Sequence, residues 1–139
     1  MGLLAGLFAA TLFSTGAMAA TIKFAAHMDA KSEVPPKTSA GIGDVLATLD
    51  TSTKVLTYTV TFEGLTGPAT MGHFHGPAPV GKNAGVAVPF PAPVVSPLTA
   101  KATLTAKQMA DLEAGMWYAN IHTAANPGGE IRGQMMKVK

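Results

Sequence analysis

Val45-Leu-Ala-Thr-Leu49-Asp50-Thr-Ser-Thr53-Lys-Val55-Leu-Thr-Tyr-Thr-Val-Thr-Phe62 reads as a β-hairpin. Its second arm alternates without a break, with Leu56, Tyr58, Val60 and Phe62 on one side and Val55, Thr57, Thr59 and Thr61 on the other. Successive side chains of a strand point to opposite faces, so the pattern describes a strand with one face in a core and one in water. Val45 to Leu49 is its partner, and the polar run from Asp50 to Thr53 is the turn between them.

The same reading extends in both directions. Upstream, Thr21 to Asp29 alternates with Ile22, Phe24, Ala26 and Met28 on one face and His27 on the more polar one, until Ser32-Glu33-Val34-Pro35-Pro36 ends the strand. Downstream, Gly64 to Pro68 is a turn, Ala69 to His75 a short strand, and Pro77 to Asn83 a loop. Val86 to Val95 is interrupted by Pro89, Pro91 and Pro93, which confines it to a sheet edge or an extended surface segment. Lys101 to Thr105 is a further strand. Thr105-Ala-Lys-Gln108 is a helix capping box, followed by an apolar stripe at Met109 and Leu112 and a stop at Gly115. Met116 to His122 and Gly129 to Val138 are the last strands, joined by Asn126-Pro-Gly-Gly129. The sum is an all-β chain, a Greek-key sandwich or small barrel of about seven to eight antiparallel strands with one short helix.

The 139-residue chain supports one domain. Met1 to Ala20 carries no charge, its apolar core from Leu3 to Phe13 is short for a bilayer, and Ala17-Met18-Ala19 has the small-x-small form of a cleavage site. Residues 1–19 therefore read as an export signal and 20–139 as the mature domain, periplasmic or secreted and free of the membrane after cleavage. An uncleaved anchor is the alternative. Cysteine is absent, which removes disulfides, thiolate metal sites and thiol nucleophiles. The ten basic residues, nine of them lysines, are scattered and the net charge is only +2, so no nucleic-acid stripe exists.

Three of the four histidines fall in two segments, Met71-Gly-His73-Phe-His75-Gly-Pro-Ala78 and Ile121-His122-Thr-Ala-Ala-Asn126-Pro-Gly-Gly-Glu130-Ile-Arg132-Gly-Gln134. In a strand, His73 and His75 share a face, so two imidazoles converge on one point, and Met71 lies on that face too. His122, at the end of another apolar run, is the candidate third ligand. Met71 and His27 are candidates for a further one. Imidazole suits copper and zinc, and an added thioether favours Cu(I), so copper is the expected metal and zinc the alternative. Glu130 and Arg132 share a strand face, either as outer groups that orient the ligands and steer an anion or as a charge pair pinning the last strand. No serine elbow, phosphate loop, dinucleotide fingerprint or EF-hand pattern occurs.

The chain resembles the CHRD domain, the module named after chordin and also found singly in exported bacterial proteins. The resemblance is carried by Glu33-Val34-Pro35-Pro36, His73-Phe-His75-Gly-Pro-Ala78, Leu112-x-x-Gly115-x-Trp-Tyr118, Ile121-His122-Thr123, and Pro127-x-Gly-Glu130-Ile-Arg132-Gly-Gln134. It implies a β-sandwich and brings no settled activity. His27 has no counterpart in that pattern. A fainter similarity, to copper/zinc superoxide dismutases, rests on the strand-borne His-x-His and on Gly128-Gly129-Glu130-Ile131-Arg132. Without cysteine or a His/Asp-rich zinc loop it implies at most a copper-only version. Three readings follow: a copper-binding protein for storage, delivery or resistance whose partners are the metal ion and another periplasmic copper protein; a superoxide-dismutase-like enzyme with Arg132 guiding the anion; or an interaction module in which the histidines hold loops.

Overall fold

The computed structural model describes residues 18–139, so the segment read as an export signal lies outside the described residues except for Met18 and Ala19. In chain order the elements are β1 (Thr21–Asp29), β2 (Ile42–Asp50), β3 (Val55–Glu63), β4 (Ala69–His75), β5 (Val86–Pro89), β6 (Leu98–Thr103), α1 (Ala106–Glu113), β7 (Tyr118–Thr123), β8 (Ile131–Gln134) and β9 (Met136–Lys137). All pairings are antiparallel, in the order β5-β4-β7-β8-β1-β2-β3-β6, with β9 also paired to β1.

The β2–β3 hairpin forms as its alternation requires. Leu49 faces Leu56, Ala47 faces Tyr58 and Val45 faces Val60, so all six side chains enter the core together. Asp50 builds the turn: its Oδ1 accepts from the Ser52 amide at 2.9 Å, the Ser52 hydroxyl at 2.6 Å and the Thr53 amide at 3.0 Å. β1 adds Phe24, Ala26 and Met28 to the same face. The sheet then rolls up. Tyr58 on β3 and Phe74 on β4 belong to strands near opposite ends of the sheet, yet their rings meet edge-on with centroids 4.9 Å apart. Phe90 and Trp117 pack on Phe74 from the other sides. The result is a nearly closed barrel, its gap between β6 and β5 bridged where Gln108 Nε2 donates to the Ala87 carbonyl at 3.1 Å. Across that gap β3→β4 and β6→β7 each skip two strands, the Greek-key connection. Each large side chain removed from water contributes about 1.5–3 kcal/mol. In a chain without cysteine this packing is what holds the barrel.

Among the described residues nine strands form where seven to eight were expected. The difference lies at the C-terminus, where the run from Gly129 to Val138 divides at Met135. Its side chain is buried and its amide donates to the Trp117 carbonyl at 2.9 Å, after which the chain leaves β7 and stays beside β1 as β9. Val86–Pro89 is an edge strand and the remaining prolines follow it without sheet structure. β6 runs from Leu98, three residues before the expected start at Lys101. The helix starts at its capping box, with both reciprocal bonds between Thr105 and Gln108 present.

β7 departs from simple alternation: all of its residues are buried, on both faces. Ala119 and Ile121 enter the core, while Tyr118, Asn120 and His122 face outward beneath two loops, 30–41 and 76–85.

Candidate metal centre

The outer face of β4, β7 and β8 is a grid fixed by register. Met71 stands across from His122, His73 across from Asn120, and His75 across from Tyr118. On the far side of β7, Asn120 faces Arg132 and Tyr118 faces Gln134. Because His73 and His75 alternate with the buried Gly72 and Phe74, the core fixes the direction of both imidazoles. His73, His75 and His122 each present a ring nitrogen, and the three nitrogens lie within 4.8 Å of one another. A Zn²⁺ or copper ion bound at about 2.0–2.1 Å holds its nitrogens about 3.3–4 Å apart, so small ring rotations suffice to close the set.

Two backbone carbonyls set the protonation pattern. His122 Nδ1 lies 2.8 Å from the Pro127 carbonyl and His75 Nδ1 lies 3.0 Å from the Ala84 carbonyl. A carbonyl only accepts, so both rings carry a proton on Nδ1, and in the neutral tautomer that this selects the lone pair is on Nε2. His73 Nδ1 then donates to His122 Nε2 at 3.1 Å. His75 Nε2 is buried and has no hydrogen-bond partner among the described residues. Burial holds the His73 imidazolium down at about 4, with His122 and His75 adding to the effect, and burial likewise lowers His75. Both rings are therefore neutral at neutral pH, the form that binds metal.

The carbonyls are in turn held by the residues that the sequence set beside the ligands, though by an indirect route. Arg132 donates from Nη1 to Asn83 Oδ1 at 2.8 Å and from Nη2 to the Lys82 carbonyl, and its guanidinium lies 3.5 Å from the centre of the Tyr118 ring. Tyr118 donates its hydroxyl to the Ala84 carbonyl at 3.2 Å and stacks on His75, the planes 5° apart with centroids at 4.9 Å. Arg132 and Tyr118 thus strap down the loop whose carbonyl orients His75. Glu130 contacts no imidazole. Fully buried, it accepts from Ser39, from the Thr66 amide and hydroxyl, from Thr123 and from Asn126, at 2.6–3.2 Å. Burial alone would raise its carboxyl, but the Ser39, Thr123 and Thr66 donors hold it at about 2. By fixing Asn126 it fixes the turn that offers the Pro127 carbonyl to His122.

Glu33 and Asn120 complete the layer. The Asn120 amide donates to Glu33 Oε1 and, at 2.9 Å, to the Ile131 carbonyl. Burial pushes the Glu33 carboxyl up to about 7, against the opposing pull of Asn120, Arg132 and Lys37. Gly129 passes so close that a Cβ there would sit 2.6 Å from both the Asn120 amide and Glu33.

Of the residues singled out in the sequence, His73, His75 and His122 come together, and Met71 lies on their face with its side chain partly in solvent. His27 does not join them. It sits on the outer face of β1, paired with Asp44 at 2.9 Å and exposed. Glu33 and Asn120 were missed as site residues, although Glu33 lies in the Glu33-Val34-Pro35-Pro36 segment and Asn120 shares a strand face with His122. The orienting groups Ala84 and Pro127 act through backbone, which leaves no mark on residue type.

With this geometry in view, the comparison with known families is specific: the CHRD domain matches residues 24–135. The chain belongs to the CHRD domain family. The match covers every strand of the CHRD barrel that carries a candidate ligand or one of its supports. No curated protein and no solved structure matches the chain.

Proposed function

We propose that this CHRD domain is an exported copper-binding protein, with His73, His75 and His122 as ligands, serving copper storage, delivery or resistance. The observation that carries the reading is His75 Nε2, a buried lone pair without a hydrogen-bond partner, in a cluster whose other rings turn nitrogens towards it. An unpartnered buried acceptor costs about 1–3 kcal/mol, a cost that a metal ion would remove. The three imidazoles suit either ion, and copper is favoured over zinc by the Met71 thioether, which faces His122 across the strand pair. Export rests on the uncharged apolar segment before Ala20 and its Ala17-Met18-Ala19 site.

Binding is preferred to superoxide turnover because Arg132, the cation that would steer an anion, is buried and engaged with Asn83 and the Lys82 carbonyl. The test is isothermal titration of the purified protein with copper. His73→Ala, His75→Ala and His122→Ala are each expected to weaken binding about tenfold or more while circular dichroism stays unchanged. Unaltered affinity in all three would end the metal reading in favour of an interaction module.

A further inference from the structure

We propose that Met71 is an oxidation-sensitive fourth donor that gives this site its preference for Cu(I), and that peroxide abolishes the preference by converting the thioether to a sulfoxide. The inference rests on the copper-binding reading above and goes beyond it by assigning a modification site and a mode of regulation.

Met71, His73 and His75 follow one another on the outer face of β4, and Met71 lies directly across from His122 on β7. Facing residues of an antiparallel pair have their Cβ atoms about 4.5–5.5 Å apart, a span the flexible methionine side chain covers easily. The core makes no use of this side chain, since β4 sends Gly72 and Phe74 inward and Met71 is 47% exposed. Met28 and Met135 are fully buried, and exposed Met136 lies on β9 beside β1, away from the imidazoles. Met71 is thus the exposed methionine on the ligand face. Three imidazoles suit either oxidation state of copper, whereas a thioether selects Cu(I).

Exposure also makes the sulfur available to small oxidants. With hydrogen peroxide, a sulfur lone pair attacks one peroxide oxygen; an S–O bond forms, the O–O bond breaks, and the departing oxygen leaves as water once protonated. Sulfur loses two electrons and the peroxide gains them. The product is polar and offers a hard oxygen in place of a soft sulfur, and methionine sulfoxide reductases reverse the change. Oxidising conditions would therefore loosen Cu(I) and leave the imidazole-bound Cu(II) form in place.

The experiment measures Cu(I) affinity by competition with a chromophoric chelator and Cu(II) affinity by titration calorimetry. The samples are wild type, Met71→Leu, Met136→Leu and peroxide-treated protein, with peptide mass mapping of each. Met71 should gain one oxygen. Oxidation and Met71→Leu should each lower Cu(I) affinity about tenfold or more while leaving Cu(II) affinity nearly unchanged. Met136→Leu should behave as wild type, and peroxide should have no further effect on Met71→Leu. Equal Cu(I) affinities in wild type and Met71→Leu, or peroxide that oxidises Met136 and spares Met71, would overturn the proposal. A wild-type protein that binds neither ion, or a His73→Ala variant that binds both normally, would instead remove the copper site itself.

Discussion

Replacing Glu130 with Gln should cost about 3 kcal/mol of folding stability at neutral pH, and the cost should shrink on acidification. The carboxylate is fully buried and accepts five hydrogen bonds, from Ser39, Thr66 twice, Thr123 and Asn126. Its carboxyl is held at about 2 against an ordinary 4.5. At about 1.4 kcal/mol for each pH unit, that difference is worth about 3 kcal/mol when the group is ionised in both states. A carboxyl lowered by folding stabilises fully above its unfolded value, and the contribution is lost as pH falls towards its folded value. Gln keeps the shape but turns an N–H group towards donors that the carboxylate accepted, so the charged form's advantage disappears. Urea unfolding can be followed by the single, buried Trp117. The gap between wild type and Glu130→Gln should be about 3 kcal/mol at pH 7 and less than half of that by about pH 3. A gap of equal size at both pH values, or none at pH 7, would mean that the ionised Glu130 carboxylate does not stabilise the fold.

Arg132→Lys removes the fork onto Asn83 and the Lys82 carbonyl and the stacking on Tyr118. Copper affinity should fall about 10–100-fold, and nitrogen NMR should show His75 no longer fixed as its Nδ1–H form. Glu33 has the opposite sign to Glu130. Burial raises its carboxyl to about 7, so its own contribution to stability is full below the ordinary 4.5 and is lost as pH rises through 7. Glu33→Gln keeps an acceptor for Asn120 without the charge, so the thermal midpoint of wild type should fall relative to that of Glu33→Gln as pH rises from about 5 to 8; parallel curves for the two proteins would contradict this. N-terminal sequencing of protein recovered from the periplasm or medium should begin at Ala20, and an intact Met1 there would contradict export by a cleaved signal.

The barrel was legible where one face meets the core and the other meets water. β1, β2 and β3 alternate in residue type because they alternate in burial, and the Asp50 turn and Thr105 capping box are local chemistry written in adjacent residues. β7 was legible as a strand, but not its covered outer face, because what covers it arrives from loops distant in sequence: Glu33 from one side, Asn83 and Ala84 from another. The division of the last strand at Met135 was hidden for a similar reason, since losing β7 as a partner while keeping β1 alters no residue type. Within the site, the His73–His75 step and His122 were readable because period-two spacing fixes which side chains share a face. Glu130 and Arg132 could be named beside the candidate ligands, but the contacts they make were not readable. Each works through a loop whose carbonyl holds an imidazole, and only the fold brings carbonyl and ring together.

The most direct measurement is anomalous diffraction at the copper edge from crystals of the copper-loaded protein. One strong peak is expected about 2.0–2.2 Å from His75 Nε2, His122 Nε2 and a nitrogen of His73, with the Nδ1 bonds to the Ala84 and Pro127 carbonyls kept. A peak at the exposed His27–Asp44 pair instead, or none between the three imidazoles, would rule out a copper site at the histidine cluster.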